Sequence, residues 1–328
     1  MTEERTSYAV TPAGGGAGAV VTTDHDAAFA DFLRLNVSDG DASALTVSAY
    51  KSRVSHFVAW CDQSLDHAPG NASEDDLRRY RKHLIDAGKS KATIAAYLQA
   101  VRRFFDAAVW RGLRVDNPAQ GIKAPKDRTD AAEVTKYLPL AGLQKLLDAP
   151  DTNTDAGLRD RAIIVLMAKH GLRVAEVAAL KVDDLLLSGE GQSWIKVTGK
   201  GDKVRSIPLT DGTVTVLEAW LQVRPLGAND GRVFVALGNR WHGRPISERS
   251  IRRMVDGHLE SLNLKAEGIS CHSLRHSAAT WAIYAGAKGE AVQDMLGHAS
   301  YDTTRRYAKI VDKMQENPAL KLEALLGS

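Results

Sequence analysis

Residues 194–208 read Trp-Ile-Lys-Val-Thr-Gly-Lys-Gly-Asp-Lys-Val-Arg-Ser-Ile-Pro. Trp194-Ile-Lys-Val197 and Val204-Arg-Ser-Ile-Pro208 are short strand-like runs, and Gly199-Lys-Gly-Asp202 between them supplies a turn, so the stretch predicts a β-hairpin. It interrupts a chain whose other periodic segments are helical. On its N-terminal side lie helices at about 140–149 and 156–170; beyond it lie helices at about 211–224, 247–262, 272–285, 288–296 and 302–312. Val233-Phe-Val235 is a candidate third strand. The expected fold class is mainly α (α+β), with one small antiparallel sheet inside a mostly helical second domain.

The first half of the chain is helical throughout. Tyr50, Val54, Phe57, Val58 and Cys61 form one stripe. Ser73 and Asp76 resemble a capping box ahead of Leu77, Tyr80 and Leu84, and Gly88 stops that helix. Ser90 caps a helix carrying Ile94, Leu98, Val101, Phe105 and Ala108. The expected organisation is a flexible tail (1–24), a helical domain (25–116) and a linker (117–137) marked by Asn117-Pro118 and Pro125. A second domain (138–316) and a C-terminal segment (317–328) follow.

The chain has 328 residues, enough for two buried cores. A 44% hydrophobic and 25% charged composition excludes wholesale disorder and a fibrous repeat. The uncharged run Thr6–Thr23 is rich in Gly, Ala and Thr and follows Glu3 and Glu4, so it is a poor membrane span and a poor signal peptide. Two cysteines, Cys61 and Cys271, suggest a cytoplasmic location and no disulfide framework. The net charge of +3 conceals a basic block: residues 78–126 hold 12 Lys/Arg against 3 Asp/Glu, whereas residues 1–77 hold 4 against 12. Such a block is the footprint of a polyanion such as DNA, or simply a solvated helix face.

Five places in the second domain set polar residues inside apolar surroundings. Arg173 lies in His170-Gly-Leu-Arg-Val-Ala-Glu176, and Lys200 at the hairpin tip. His272, Arg275 and His276 lie in Cys271-His-Ser-Leu-Arg-His276, His298 follows Leu296-Gly297, and Tyr307 comes nine residues later. Singly, each has an ordinary reading: an Arg173–Glu176 ion pair, a solvated turn lysine, a core tyrosine. His272 and His276 at i, i+4 suggest a zinc helix, but Ser273 stands where a metalloprotease has Glu, so no metal is expected. Gly199-Lys-Gly201 lacks the residues of a nucleotide phosphate loop, and there is no Gly-x-Ser-x-Gly elbow.

Together, in this order and spacing, these residues resemble the catalytic set of the tyrosine recombinases (the lambda-integrase family), and within it the Xer-like members. Ser273 is a mild departure, since Xer-like proteins commonly carry Asp there. The resemblance implies that Arg173, Lys200, His272, Arg275, His298 and Tyr307 are catalytic, with Glu176 and His276 supporting. Two guanidiniums can clamp the oxygens of a scissile phosphate with forked, charge-assisted bonds. By the same resemblance Tyr307 attacks, His272 serves as base or orienter, His298 donates to the phosphate and Lys200 protonates the departing 5′ oxygen. The product is a 3′-phosphotyrosyl enzyme, formed with no cofactor. Tyr301 is a rival nucleophile that the family spacing disfavours.

The implied partner is a double-stranded DNA recombination site, held by a homo-tetramer assembled from protomers that are monomeric in free solution. The segment 317–328 would dock on the neighbouring protomer, and no membrane is involved. Candidate DNA contacts are Arg78, Arg79, Lys82, Lys89, Lys91, Arg102, Arg103 and Lys123, with Arg244 and Arg252 in the second domain. The alternatives are a type IB topoisomerase-like enzyme that relaxes DNA and a DNA-binding accessory that has lost cleavage. Whether the role is integration, cointegrate resolution or chromosome-dimer resolution is left open by the sequence.

Overall fold

The computed structural model describes residues 18–37, 43–126, 135–189, 191–199, 202–226, 231–238, 240–316 and 318–326. The chain divides into two compact units, Met1–Arg128 and Thr129–Ser328.

The first unit is built from α1 (Gly18–Asn36), α2 (Ala44–Ser64), α3 (Glu74–Asp86) and α4 (Lys91–Trp110), with a 3₁₀ turn at Pro69–Asn71. Helix α1 begins inside the span read as tail. The α2 stripe buries Val54, Phe57, Trp60 and Cys61. The Ser73–Asp76 capping box is present, with each residue's side chain bonded to the other's backbone N–H, and Ser90 accepts from the Thr93 N–H. The core packs Phe29, Phe57, Tyr80, Leu98, Phe104 and Phe105. Their rings meet edge to face, as Phe57 does Tyr80 and Phe104 does Phe105, the geometry that ring quadrupoles favour.

The second unit opens with α5 (Leu140–Asp148), α6 (Asp155–Lys169) and the short α7 (Val174–Ala179). Strands β1 (Leu185–Leu186), β2 (Trp194–Thr198) and β3 (Val204–Pro208) follow. After them come α8 (Asp211–Val223), α9 (Glu248–Ser261), α10 (Cys271–Tyr284), α11 (Gly289–Leu296), α12 (Tyr301–Gln315) and α13 (Pro318–Leu326). The strands pair antiparallel in the order β1-β2-β3, with Ile195 opposite Ile207 and Val197 opposite Arg205. The predicted hairpin is therefore present, closed by the Gly199 N–H donating to the Lys203 carbonyl at 2.8 Å.

The third strand is not the one expected. Leu185–Leu186 occupies that position, paired with Trp194 and Ile195. Val233, Phe234 and Val235 are all fully buried, so they lack the one-sided exposure of a sheet edge. They run through the core as an irregular segment, tied by isolated bridges from Arg232 to Lys181 and from Val235 to Pro245, and the Trp220 indole donates to the Val233 carbonyl. Helix α6, buried from Ala162 to Ala168, is the central element of this unit. No helix among the described residues is long and apolar enough to cross a membrane. Cys61 and Cys271 are both buried and free.

Candidate active site

Arg173 is the residue at which the backbone enters α7. Its N–H donates to Glu176 Oε2 and its Nη1 to Glu176 Oε1, each at 2.8 Å. The ion pair of the ordinary reading is thus real, but it leaves the arginine side chain 40% exposed, free to meet a ligand as well. Glu176 is buried and also receives a fork from Arg205 of β3: Nη1 to Oε1 and Nη2 to Oε2, both at 2.9 Å. Burial pushes this carboxyl up, but the hydrogen bonds from Arg205 and from the Arg173 backbone outweigh it and hold the group below its usual range.

Arg275 projects from α10 and is 2% exposed. Its Nη1 donates to the Gly171 carbonyl and its Nη2 to the Leu296 carbonyl, so neutral oxygens fix it rather than a carboxylate. Desolvation first, then the nearby Arg173, pushes its pKa down to about 10. The site therefore holds closely spaced cations that a bound anion would relieve.

Three histidines complete the cluster. Nδ1 of His276 is 2.7 Å from the hydroxyl of Tyr307, which α12 presents with 1% of its surface exposed. The rings of His272 and His276 meet edge to face at 4.6 Å, and His272 is the exposed member of the two. Nδ1 of His298 is 2.9 Å from the Thr304 hydroxyl, and its ring stacks near Tyr307 at 6.4 Å. Burial, reinforced by neighbouring cations and by His272, pushes His276 down to about 4, and burial with Arg275 and Arg173 does the same to His298. Burial raises the Tyr307 phenol, with Arg275 and Arg306 partly offsetting it. Tyr301, the rival, is exposed at the first turn of α12, and its hydroxyl lies over Gly289. Arg173, Glu176, Arg275, His272, His276, His298 and Tyr307 are thus brought together. Lys200 lies outside the described residues.

Two neighbours escaped the sequence reading: Arg205 and Thr304. Arg205 shares the inward face of β3 with buried Ile207, and a charge on that face is a readable sign of a buried partner. Thr304 is buried, one helical turn before Tyr307. Among the described residues no group of three or more His, Cys, Asp or Glu is placed to hold a metal ion.

The basic candidates of the first unit sort by partner. Arg78, Arg79, Lys82 and Arg103 lie in ion pairs with Glu74, Asp76, Asp86 and Asp106. Arg102 is half-buried and ties the chain that follows α4, donating to the carbonyls of Ala119 and Ile122. Lys89, Lys91 and Lys123 are exposed. In the second unit Arg252 pairs with Glu248, and Arg240 and Arg244 both lie over the exposed Trp241 ring.

The sequence profile of the phage integrase family matches residues 136–314, and that of the phage integrase N-terminal SAM-like domain matches residues 29–112. Tyrosine recombinase XerD of Listeria innocua is 34% identical over 287 residues, covering 85% of this chain and 93% of that protein. The fold is shared with the XerH site-specific recombinase bound to palindromic difH substrate (TM-score 0.69, 22% identity, 88% of this chain and 84% of that one). It is also shared with a lambda integrase tetramer bound to a Holliday junction (TM-score 0.63, 18% identity, 86% and 80%). The chain belongs to the phage integrase family and is an enzyme of the tyrosine recombinase class, whose chemistry is the site-specific cutting and rejoining of DNA.

Proposed function

We propose that Tyr307 is the nucleophile and that Arg173 and Arg275 hold the scissile phosphate. The observation that carries the reading is the Tyr307 hydroxyl set 2.7 Å from a neutral imidazole, in a pocket where both guanidiniums are already oriented. The phenol passes its proton to His272 as its oxygen bonds to phosphorus, and the bond to the 5′ oxygen breaks. The leaving oxygen takes a proton from Lys200, and rejoining reverses these steps. His276 is the imidazole that touches the hydroxyl; His272, beside it, is exposed and able to meet the substrate. His298, steadied by Thr304, donates to the phosphate. The bond energy is kept in the phosphotyrosine, so no cofactor is required.

The proposed partner is double-stranded DNA, in the cytoplasm, with four protomers on paired sites. Support comes from the lambda integrase neighbour, a tetramer on a Holliday junction, and from α13, whose Leu322, Leu325 and Leu326 are exposed and suited to an apolar seat on another protomer. Lys89 and Lys123, both exposed, are first-unit residues suited to meet phosphates.

The test uses a duplex that the full-length chain selects from a random-sequence pool, nicked beside the mapped cleavage point. Tyr307→Phe should bind it normally and give no covalent protein–DNA band on a denaturing gel, whereas Tyr301→Phe should give the wild-type band. A persistent band with Tyr307→Phe would remove Tyr307 from this role.

A further inference from the structure

Glu176 has four lone-pair positions on its two oxygens, and all four are filled. Arg173 fills two, through its N–H and Nη1, and Arg205 fills the other two with a forked pair at 2.9 Å. The third arm of Arg205 is also used: Nε donates to the Met295 carbonyl at 3.1 Å. The guanidinium lies against Gly297, in left-handed conformation at φ 65°, where an added Cβ would come within 3.0–3.2 Å of Arg205 Cδ, Nη1 and Cζ. One strand residue thereby joins the start of α7, which carries Arg173, to the turn after α11, which carries His298.

We propose that Arg205 is a positioning residue for cleavage: by fixing both oxygens of Glu176 from behind, it sets the direction in which Arg173 offers its guanidinium to the phosphate. Without the fork, two of the four acceptor positions fall vacant and the carboxylate can rotate, taking Arg173 with it. A lysine cannot replace it, because a single ammonium cannot span both oxygens and the Met295 carbonyl. The inference rests on the proposed role of Arg173 as a phosphate clamp, and the experiment separates the two.

Cleavage of the selected nicked duplex is followed under single-turnover conditions for the full-length wild type, Arg173→Ala, Arg205→Ala, Arg205→Lys and the Arg173→Ala/Arg205→Ala double variant. Each is assayed on the ordinary phosphodiester and on a methylphosphonate at the scissile position, which lacks the negative charge a guanidinium would neutralise. On the phosphodiester, Arg205→Ala should cleave about 10²-fold more slowly, the scale of a small misplacement of a reacting group. On the methylphosphonate its defect should shrink in step with that of Arg173→Ala, and the double variant should be no slower than Arg173→Ala alone, as for residues acting through one contact. If Arg173→Ala is relieved by the neutral substrate and Arg205→Ala is not, the positioning role is overturned. If Arg173→Ala is itself not relieved, the clamp reading has failed instead. Should Arg205→Ala lose its helical circular dichroism, Arg205→Lys carries the test: the same substrate-dependent defect is expected, and a wild-type rate on the phosphodiester overturns the proposal.

Discussion

Nδ1 of His276 and the hydroxyl of Tyr307 stand 2.7 Å apart in a seat that leaves the tyrosine 1% exposed. The imidazole is neutral at ordinary pH, and burial keeps the proton on the phenol, so the pair shares one neutral hydrogen bond whose direction is set by the imidazole tautomer. Replacing His276 by Ala strands that hydroxyl without its partner. The expected cost is about 1–3 kcal/mol of unfolding free energy. Urea denaturation measures it, and an unchanged midpoint would show that the pair contributes nothing to the resting structure.

The two candidate clamps should behave differently when removed. Arg173 is 40% exposed and Arg275 is 2% exposed on two backbone carbonyls. Arg173→Ala should lower cleavage by about 10²–10³ with DNA binding nearly intact. Arg275→Ala should lose cleavage and stability together, because the Gly171 and Leu296 carbonyls are left without donors. Paired gel-shift, cleavage and thermal-melt measurements separate the two effects; a fully stable Arg275→Ala would contradict the structural half of this expectation.

Acid should weaken the second unit. A solvated histidine titrates near about 6.5, whereas His276 and His298 are pushed down to about 4 by burial and nearby cations, and burial does the same to His170. Between those values the unfolded chain binds more protons than the folded one, so stability rises with pH across that window. The urea midpoint should be level above about pH 7 and fall progressively below about 6.5 as pH drops toward about 4. His298→Asn should flatten part of that slope. A midpoint that rises on acidification would refute the assignment.

Gly171 precedes the Arg173 turn at φ 65°, and an added Cβ would overlap the Leu296 side chain. Gly171→Ala combines left-handed strain, about 1–2 kcal/mol, with that clash. The variant should melt earlier and cleave more slowly than wild type, because Arg275 bonds to this residue's carbonyl. Gly212, where an added Cβ meets nothing within 4 Å, is the control position at which Ala should be tolerated.

Lys200→Ala should recover cleavage on a duplex whose leaving 5′ oxygen is replaced by sulfur, since a thiolate departs without a general acid. Wild-type cleavage should persist in excess EDTA. Equal lysine defects on the oxygen and sulfur substrates would reduce Lys200 to a groove or phosphate contact.

Much of this fold is local and therefore legible. Ser73 and Ser90 announce their helices because a cap is a three-residue affair, and Arg173 and Glu176 are close enough in sequence to suggest their own bond. What escaped depends on distant partners. Arg205 reaches a carboxylate 29 residues away, and no pattern within β3 specifies which one. Leu185–Leu186 is too short to show strand alternation, whereas Val233–Val235 looks like a strand because it is apolar, and it is apolar because it is buried on every side. The basic block was legible as charge but not as use: Arg102 spends its donors on Ala119 and Ile122, which a count of charges cannot reveal.

The seat of Tyr307 bears on how such a protein can be safe to its host. A DNA-binding chain meets vastly more foreign sequence than cognate sequence during its search, and an attacking oxygen held ready would turn each encounter into a chance of breakage. The Tyr307 ring packs with Ala279, Val292 and Leu296 while its hydroxyl is bonded to His276, so on the reading proposed above that bond has to be given up before the oxygen can attack. The frequency of breaks would then follow the fraction of protomers in which Tyr307 has given up that bond, a quantity distinct from affinity for DNA. Recognition and damage would in that case be separately adjustable, and substitutions that weaken the hold on Tyr307 should raise off-site nicking before they abolish cleavage.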